Sequence, residues 1–243
     1  RGIALELERL ANHSGDLGAL AGDVGFQPTA AYCGRLRGDL LNLTATICGN
    51  RFGRGLICPG GVEWDIPPDM AADLSQRLEL TITDVIEAAR LLWCKPAVLS
   101  RFEATGRLTP GQASELGLVG PAARACGLEI DSRFDFASGI YGLYQLPLST
   151  WDSGDVFGRA YVRFLEIQRS ASYVKNLLEA LSGSLIASTP APAASASLAI
   201  SVSEGWRGEI CHTAITDSQG RFADYRVVDP SFHNWIGLAQ AVK

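Results

Sequence analysis

The strongest constraint on the fold is an apolar repeat in residues 155–182. Seven apolar residues are separated alternately by four and three positions, which gives a period of about 3.5 residues. That period is typical of a long helix whose apolar seam packs inside a helical bundle. Asp155 is expected to cap the start of this helix, and Gly183 to follow its end. The seam consists of Ala160, Phe164, Ile167, Ala171, Val174, Leu178 and Leu181.

Weaker periodic patterns predict three more helices, over residues 2–24, 31–49 and 70–93. Near the end of the chain, residues 210–216 and 222–228 flank a turn of the Asp-Ser-Gln-Gly type, which predicts a β-hairpin. We therefore expect an α+β fold that is mostly α, a long-helix bundle with a small C-terminal antiparallel β-hairpin.

The composition changes at residues 188–197, where Ser, Thr, Pro and Ala replace the helical pattern. Such a segment is expected to be a linker or loop. The chain is therefore expected to contain a helical bundle domain at 1–186, a linker or loop at 187–197, and a β-hairpin segment at 198–243 that packs on the bundle.

The overall composition excludes several classes of protein. The 243 residues are 47% apolar, which is enough to bury the core of one large domain and excludes a disordered chain. A formal net charge of −5 argues against generic nucleic-acid binding. No run of about 18 apolar residues occurs, so we expect no direct membrane span, and any link to a membrane must come through a partner.

The cysteines and histidines lack the spacing of metal ligands. No two of the six cysteines lie within four residues of each other, whereas zinc and iron–sulfur sites use closely spaced pairs. None of the three histidines has a companion at metal-binding spacing. We expect no metal to be held by this chain alone, and we expect reduced, buried cysteines.

A polar stripe runs along the first predicted helix beside its apolar face. Its members, Glu6, Arg9, His13 and Asp16, recur at helical spacing. Two interpretations remain open. The stripe is either a solvent-exposed face or a charged stripe that faces a buried polar axis.

Two segments place an arginine close to glycines, where backbone and guanidinium can approach a ligand or a partner. Residues 120–127 contain Arg124 and are followed by Asp131 and Arg133. Residues 204–209 contain Arg207 between two glycines. The alternative for each segment is a tight turn with a surface arginine.

Five segments follow one another along the chain. They are LELERLANHSGDLGAL, RFGRGLICPGGV, GPAARACGLEIDSR, GDVFGRAYVRFLEIQRS, and EGWRGEI followed by YRVVDPSFHNW. Together they resemble the complex I 49 kDa family of NADH-quinone oxidoreductases. The resemblance is closer to the large subunits of group 4 membrane-bound nickel–iron (NiFe) hydrogenases of the formate hydrogenlyase type. It covers nearly the whole chain, with the segments in the family's order.

The resemblance implies a hydrogenase large-subunit fold and a place in an electron-transferring membrane complex. The implied partners are a small subunit with a 4Fe–4S cluster and, through the complex, membrane-arm subunits. The implied location is peripheral, at the cytoplasmic face of the inner membrane. The intact subunit would hold a NiFe centre in the hydrogenase branch or a quinone in the other branch. A non-catalytic structural subunit is the alternative function.

This sequence departs from the hydrogenase pattern because it contains neither of the two CxxC motifs that hold the metals. We expect those motifs to lie before Arg1 and beyond Lys243 in a longer protein, and we expect this fragment to bind no cofactor by itself. Residues 229–231 are expected to match a strand-and-loop motif of the family, not a ligand motif. Both branches therefore stay open.

The resemblance also implies roles for single residues. His13 corresponds to a histidine beside the family's cavity, a hydrogen-bond or proton-relay group that Arg9 and Asp16 would tune. Arg124 corresponds to an arginine near the cavity or the small-subunit interface, where Asp131 and Arg133 are also expected.

Arg207 corresponds to a basic residue that lies over the metal site in the hydrogenase branch. We expect its guanidinium to line a concave site with His13 nearby, where it would stabilise negative charge. We also expect that neither Glu204 nor Glu209 neutralises it. His13 and Arg207 are therefore the candidate catalytic residues.

Overall fold

The computed structural model describes residues 1–181 and 188–243. Four long helices form a bundle, short helices connect them, and a three-stranded sheet precedes a last helix. In chain order the elements are α1 (Gly2–Asp23), α2 (Gln27–Cys48), β1 (Ile57–Cys58), β2 (Gly61–Val62), α3 (Pro68–Trp93), α4 (Pro96–Phe102), α5 (Pro110–Glu115), α6 (Gly120–Arg124), α7 (Ser132–Asp135), a 3-10 turn (Gly139–Gly142), α8 (Val156–Glu179), β3 (Leu198–Gly205), β4 (Gly208–Thr216), β5 (Phe222–Val228) and α9 (Pro230–Ala241).

The predicted bundle is confirmed. Helix α1 packs against α2 and α8, and α3 packs against the same two helices, so the four helices surround one apolar core. The seam of α8 faces this core. Its residues from Ala160 to Leu178 are buried, and Leu181 is half-buried.

The structure tests the predicted start of α8 but not its predicted end. Asp155 caps the start as predicted, since its carboxylate accepts a hydrogen bond from the Gly158 amide at 2.8 Å. The predicted position of Gly183 lies outside the described residues, as does the expected domain boundary at 186/187.

Helix α2 begins at Gln27, four residues before the predicted start at residue 31. The reason is Pro28, which occupies the first turn. A proline there loses no hydrogen bond, because the first amides of a helix have no intrahelical acceptor.

The predicted hairpin is confirmed as strands β4 and β5. The structure adds β3, which pairs antiparallel with β4, to give a sheet with the order β3-β4-β5. Residues 229–231, expected to form a strand and loop, instead begin helix α9. The carboxylate of Asp229 accepts a hydrogen bond from the Ser231 amide at 2.8 Å and caps that helix.

The expectation of buried cysteines holds for Cys33, Cys48 and Cys126, but it is wrong for Cys94, which is exposed. Cys94 follows the last residue of α3, where the chain turns at the surface towards α4. None of the helices in residues 1–181 and 188–243 combines the length and the apolar character that crossing a bilayer requires.

Candidate functional site

Seven charged side chains meet at the junction of the bundle, the short helices and the sheet. All seven are at most 4% exposed, and each makes at least one ion pair with another member. We call this group the charge cluster. It consists of Glu6 and Arg9 from α1, Arg124 from α6, Asp131 at the start of α7, Arg133 from α7, Glu166 from α8 and Glu204 from β3.

Glu166 lies at the centre of the charge cluster. Its carboxylate pairs with Arg9, with Arg124 at 3.2 Å and with Arg133 at 2.9 Å. Burial by itself would raise the pKa of Glu166, but the three guanidinium groups hold that pKa well below its ordinary value. Glu166 is therefore ionised, and it links α8 to α1, α6 and α7.

Arg133 joins Glu166 to two further acids. Its guanidinium binds the Asp131 carboxylate through two hydrogen bonds of 2.9 and 2.6 Å, and it contacts Glu6 at 3.2 Å. Asp131 also accepts from the Arg133 amide at 2.9 Å, so the same carboxylate caps α7. This local turn fixes the direction of the guanidinium.

Glu6 completes its hydrogen bonds with hydroxyl groups. The Tyr141 hydroxyl donates to Glu6 at 2.7 Å, and the Ser170 hydroxyl donates at 2.5 Å. Burial and the neighbouring Glu6 carboxylate raise the pKa of Tyr141, so the phenol keeps its proton and remains a donor.

Glu204 is committed to the charge cluster and is not available to Arg207. Its carboxylate accepts from Arg124 at 2.8 Å and from the Ser132 amide at 3.1 Å. The carbonyl of Glu204 accepts from Arg9 at 3.2 Å, and the carbonyl of Gly205 also accepts from Arg9. These bonds attach the end of β3 to α1.

Close backbone contact holds the two glycine-rich segments together. A Cβ atom on Gly120, whose φ is +62°, would lie 2.3 Å from the carbonyl oxygen of Arg207. Only glycine adopts this conformation and permits this approach without strain. The GPAAR segment of α6 and the turn between β3 and β4 therefore pack directly against each other.

His13 lies beside the charge cluster and is completely buried. Neither ring nitrogen has a hydrogen-bond partner among the described residues. Burial lowers the pKa of His13 well below its ordinary value, and Arg9, Arg163 and Arg124 lower it further while Glu166 opposes them. The imidazole is therefore neutral near pH 7.

The structure decides between the two interpretations of the α1 stripe. Glu6, Arg9 and His13 face a buried polar axis, whereas Asp16 is half-buried. Asp16 pairs with Arg163 of α8 at 3.0 Å, one helical turn beyond His13. The solvent-exposed interpretation is therefore wrong for the first three residues.

Arg207 lies elsewhere than expected. It is exposed, and no carboxylate of the described residues lies within ion-pair distance of its guanidinium, Glu209 included. It lines a groove of about 210 Å³ between the β3–β4 turn and α9, which we call the Arg207 groove. The lining residues are Pro121, Ala122, Arg163, Arg207, Ser231, Asn234, Trp235 and Leu238.

The expectation that Arg207 and His13 share one cavity is wrong. His13 does not line the Arg207 groove and has no exposed surface. The physical reason is the tight turn at residues 205–208. Glu204 and Gly205 point to the interior, and the chain then reverses, so the Arg207 side chain extends to the outside. Arg163 connects the Arg207 groove to the part of α1 that carries His13. It lines the groove and pairs with Asp16, one helical turn from His13.

Sequence reasoning did not identify Glu166 or Tyr141 as members of this site. Glu166 lies off the apolar seam of α8, a position that is equally consistent with a solvent-exposed residue. A buried arginine needs a carboxylate partner, so the candidate arginines could have directed attention to Glu166. No pattern in the sequence indicated that Tyr141 belongs to the site.

No group of three or more His, Cys, Asp or Glu side chains within residues 1–181 and 188–243 is arranged to hold a metal ion. We therefore assign no metal ligand to the described part of the chain.

Comparison with known proteins identifies the family. A family sequence profile described as respiratory-chain NADH dehydrogenase, 49 Kd subunit, matches residues 23–199. The chain belongs to the complex I 49 kDa subunit family. The family predicted from the sequence is thereby confirmed.

Two curated proteins illustrate the similarity, which extends over most of this chain. NADH-quinone oxidoreductase subunit 4 of Thermus thermophilus is 33% identical over 181 residues, which cover 74% of this chain and 44% of that protein. The carbon monoxide-induced hydrogenase of Rhodospirillum rubrum is 27% identical over 241 residues, which cover 98% of this chain and 66% of that protein. The chain thus spans about half the length of the curated NADH-quinone oxidoreductase relatives that it matches.

A solved structure has the same fold as this member of the 49 kDa family. It is a chain of the membrane-bound sulfane sulfur reductase, an archaeal respiratory membrane complex, with a TM-score of 0.85 and 20% sequence identity. The match covers 98% of this chain and 66% of that chain. The expected mostly helical α+β fold is confirmed by this likeness.

Proposed function

We propose that this chain is the core of an electron-transferring large subunit in a membrane-associated oxidoreductase complex, either hydrogenase-like or like the 49 kDa subunit of NADH-quinone oxidoreductase. The observation that carries this proposal is membership of the 49 kDa family together with similarity to a hydrogenase along 98% of the chain. In the hydrogenase branch H2 yields two electrons and two protons. In the other branch a quinone takes up two electrons and two protons.

The intact complex is proposed to contain a small subunit with a 4Fe–4S cluster and membrane-arm subunits. The subunit itself is proposed to lie peripherally at the cytoplasmic face of the inner membrane. A NiFe centre or a quinone would supply the redox chemistry in the intact subunit. No group of three or more His, Cys, Asp or Glu side chains in residues 1–181 and 188–243 is arranged to hold a metal ion, and we derive no step through such a group.

Arg207 is proposed to stabilise negative charge that develops in the Arg207 groove. Its guanidinium has no carboxylate partner in the described residues and shares the groove with Arg163. Arg163 is paired with Asp16, so the unpaired guanidinium of Arg207 is the group that favours an anion in the groove.

His13 is proposed to act as a hydrogen-bond or proton-relay group inside the subunit. Its two ring nitrogens, which have no partner among the described residues, support this role, since an unpartnered buried imidazole can accept a proton or a hydrogen bond. Arg9, Arg124, Asp131 and Arg133 of the charge cluster are proposed to position the surrounding elements.

The test of the main proposal is the activity of the intact complex. We expect the complex, purified through a tag on the full-length subunit, to reduce viologen dyes with H2 or to reduce a quinone with its electron donor. An assembled complex with all subunits and neither activity would contradict the proposal. It would favour the non-catalytic structural subunit instead.

The Arg207→Lys variant tests the groove. We expect turnover to fall about tenfold, which corresponds to about 1.4 kcal/mol, because lysine keeps the charge but loses the planar fork. Assembly should remain unchanged. Arg221→Lys, an equally exposed arginine in the β4–β5 turn, is the matched control and should keep full turnover. Equal turnover in both variants would remove Arg207 from the mechanism.

A further inference from the structure

A second cavity lies on another face of α1 than the charge cluster. It is a cleft of about 420 Å³ between α1, α2 and the loop that follows α2, and Trp206 contributes to its lining. We call it the α1–α2 cleft. Its lining residues are Ala4, Leu5, Glu8, Asn12, Arg37, Leu41, Thr44, Arg51, Phe52, Gly53, Leu56, Ile57 and Trp206.

Two arginines of the α1–α2 cleft have no acidic partner among the described residues. Arg37 lies across α1 at Gly15, where a Cβ atom would come within 2.7 Å of its Cδ, and its guanidinium donates a long hydrogen bond to Asn12 at 3.5 Å. No carboxylate of the described residues lies within 4.0 Å of the guanidinium of Arg37 or Arg51. The lining also contains one carboxylate, that of Glu8, so the cleft carries two positive charges and one negative charge, whereas the chain as a whole carries −5.

The α1–α2 cleft also has an apolar floor and an exposed apolar rim. Leu41 and Leu56 are buried at its base. Phe52 and Ile57 stand at the rim and are 67% and 55% exposed. Large apolar side chains grouped at the edge of a cleft are typical of a surface that binds another protein.

Trp206 connects the cleft to the Arg207 groove and the charge cluster. Its ring lines the cleft, and the guanidinium of Arg207 lies 5.3 Å from the centre of that ring. The preceding carbonyl, that of Gly205, accepts a hydrogen bond from Arg9. A segment bound in the cleft would therefore contact Trp206, whose ring packs against the guanidinium of Arg207.

We propose that the α1–α2 cleft docks an acidic segment of another subunit of the same complex, with an apolar side chain of that segment inserted between Phe52 and Leu41. Carboxylates of the segment pair with Arg37 and Arg51, whose forks suit carboxylate geometry. Docking covers one face of Trp206 and so holds Arg207 in place. The proposal rests on the proposed function only in that the chain is a subunit of a complex.

A site-specific crosslink tests the docking without changing any charge. The photoreactive p-benzoylphenylalanine replaces Phe52 in the full-length subunit, and the intact complex is irradiated and analysed by mass spectrometry. We expect a crosslink to a segment of another subunit that contains both acidic and apolar residues. The same group in place of Tyr32, an exposed residue of α2 outside the cleft, should not crosslink to that segment.

Charge reversal tests the ion pairs. We expect R37E/R51E to lower the amount of that subunit recovered with the tagged chain at least tenfold, and R37K/R51K to retain most of it. The matched control is R90E/R101E, which makes the same change in net charge on exposed positions of α3 and α4. It should recover the subunit at the wild-type ratio.

Three results would overturn the proposal. They are a crosslink from position 52 to lipid or to no other subunit, a crosslink to a basic segment, or wild-type recovery in R37E/R51E. If R37E/R51E does not fold, as judged by circular dichroism, the crosslink alone decides. Recovery and turnover are measured separately, so a complex that assembles through the cleft but lacks both redox activities contradicts the proposed function and leaves the docking intact.

Discussion

At the scale of single residues, the charge cluster holds three arginines and four carboxylates away from water. Burying charges is costly, so such a group persists only where the partners satisfy one another. Glu166 is the most important of these partners because it pairs with all three arginines. Tyr141 and Ser170 supply the additional donors that Glu6 needs.

The Glu166→Gln substitution should destabilise the protein by about 3–5 kcal/mol, since it leaves three buried arginines without their common partner. Urea unfolding followed by circular dichroism measures this change. Glu79→Gln is the matched control, because Glu79 pairs with Lys175 at the surface and its loss should change the free energy of unfolding far less. Similar losses in both variants would contradict the central role of Glu166.

His13 should make stability depend on pH below about 6.5. Its pKa is lowered in the folded state, so the unfolded chain binds more protons in that window. The stabilisation is present above the unfolded pKa of about 6.5 and is lost as the pH falls towards the folded pKa. We expect unfolding free energies of the wild type to fall over this range and those of His13→Gln to fall less. Parallel curves would show that His13 does not titrate in this way.

Glu166 and Asp131 should make stability depend on pH over a lower pH range than His13 does. The pKa of each is lowered in the folded state, so their stabilisation is complete above about pH 5 and is lost as the pH falls further. The two windows separate the histidine from the carboxylates in one titration.

At the scale of elements, α8 is the helix on which the bundle and the site both depend. Its apolar seam packs in the core, while Glu166 projects from a different side of the helix into the charge cluster. One helix therefore fixes the core and the centre of the site at the same time. A change that rotates α8 would disturb both.

The Val174→Asp substitution should unfold the chain or destabilise it by more than about 3 kcal/mol, because it places an unpaired charge in the core. Thermal unfolding monitored by circular dichroism tests this. Ser172→Asp puts the same charge on an exposed position of the same helix and should change stability by less than about 0.5 kcal/mol. If Val174→Asp unfolded cooperatively at the same temperature as the wild type, the result would refute the buried seam.

At the scale of the whole molecule, the sheet and α9 differ from the bundle in how much apolar surface they expose. Ile200, Phe222, Phe232 and Trp235 are each more than 60% exposed, at 62%, 68%, 74% and 65%. Exposed apolar area of this kind promotes association in water.

The isolated chain should therefore self-associate as its concentration rises. Sedimentation velocity would show this, and the variant I200K/F232K should remain monomeric over the same range. The control L80K/L91K removes two exposed leucines of α3 and should associate like the wild type. A wild-type chain that stays monomeric at high concentration would contradict this expectation.

The sequence by itself determined the four long helices, the hairpin of β4 and β5, and the family. The period of 3.5 residues in α8, the cap at Asp155 and the hairpin of β4 and β5 are local patterns, and local patterns depend on neighbours in the chain. The sequence also placed Glu6, Arg9 and His13 on one face of α1. It left open whether water or protein covers that face.

Only the tertiary structure decided which charges meet. Arg9 and Glu166 are separated by 157 positions, and Arg133 and Glu6 by 127, so no spacing within a helix or a turn relates them. The same holds for Arg207, which the turn after Gly205 directs to the surface and away from His13. Ion pairs between elements depend on how the helices are rotated and how closely backbones approach, and these are set by the packing of the whole core.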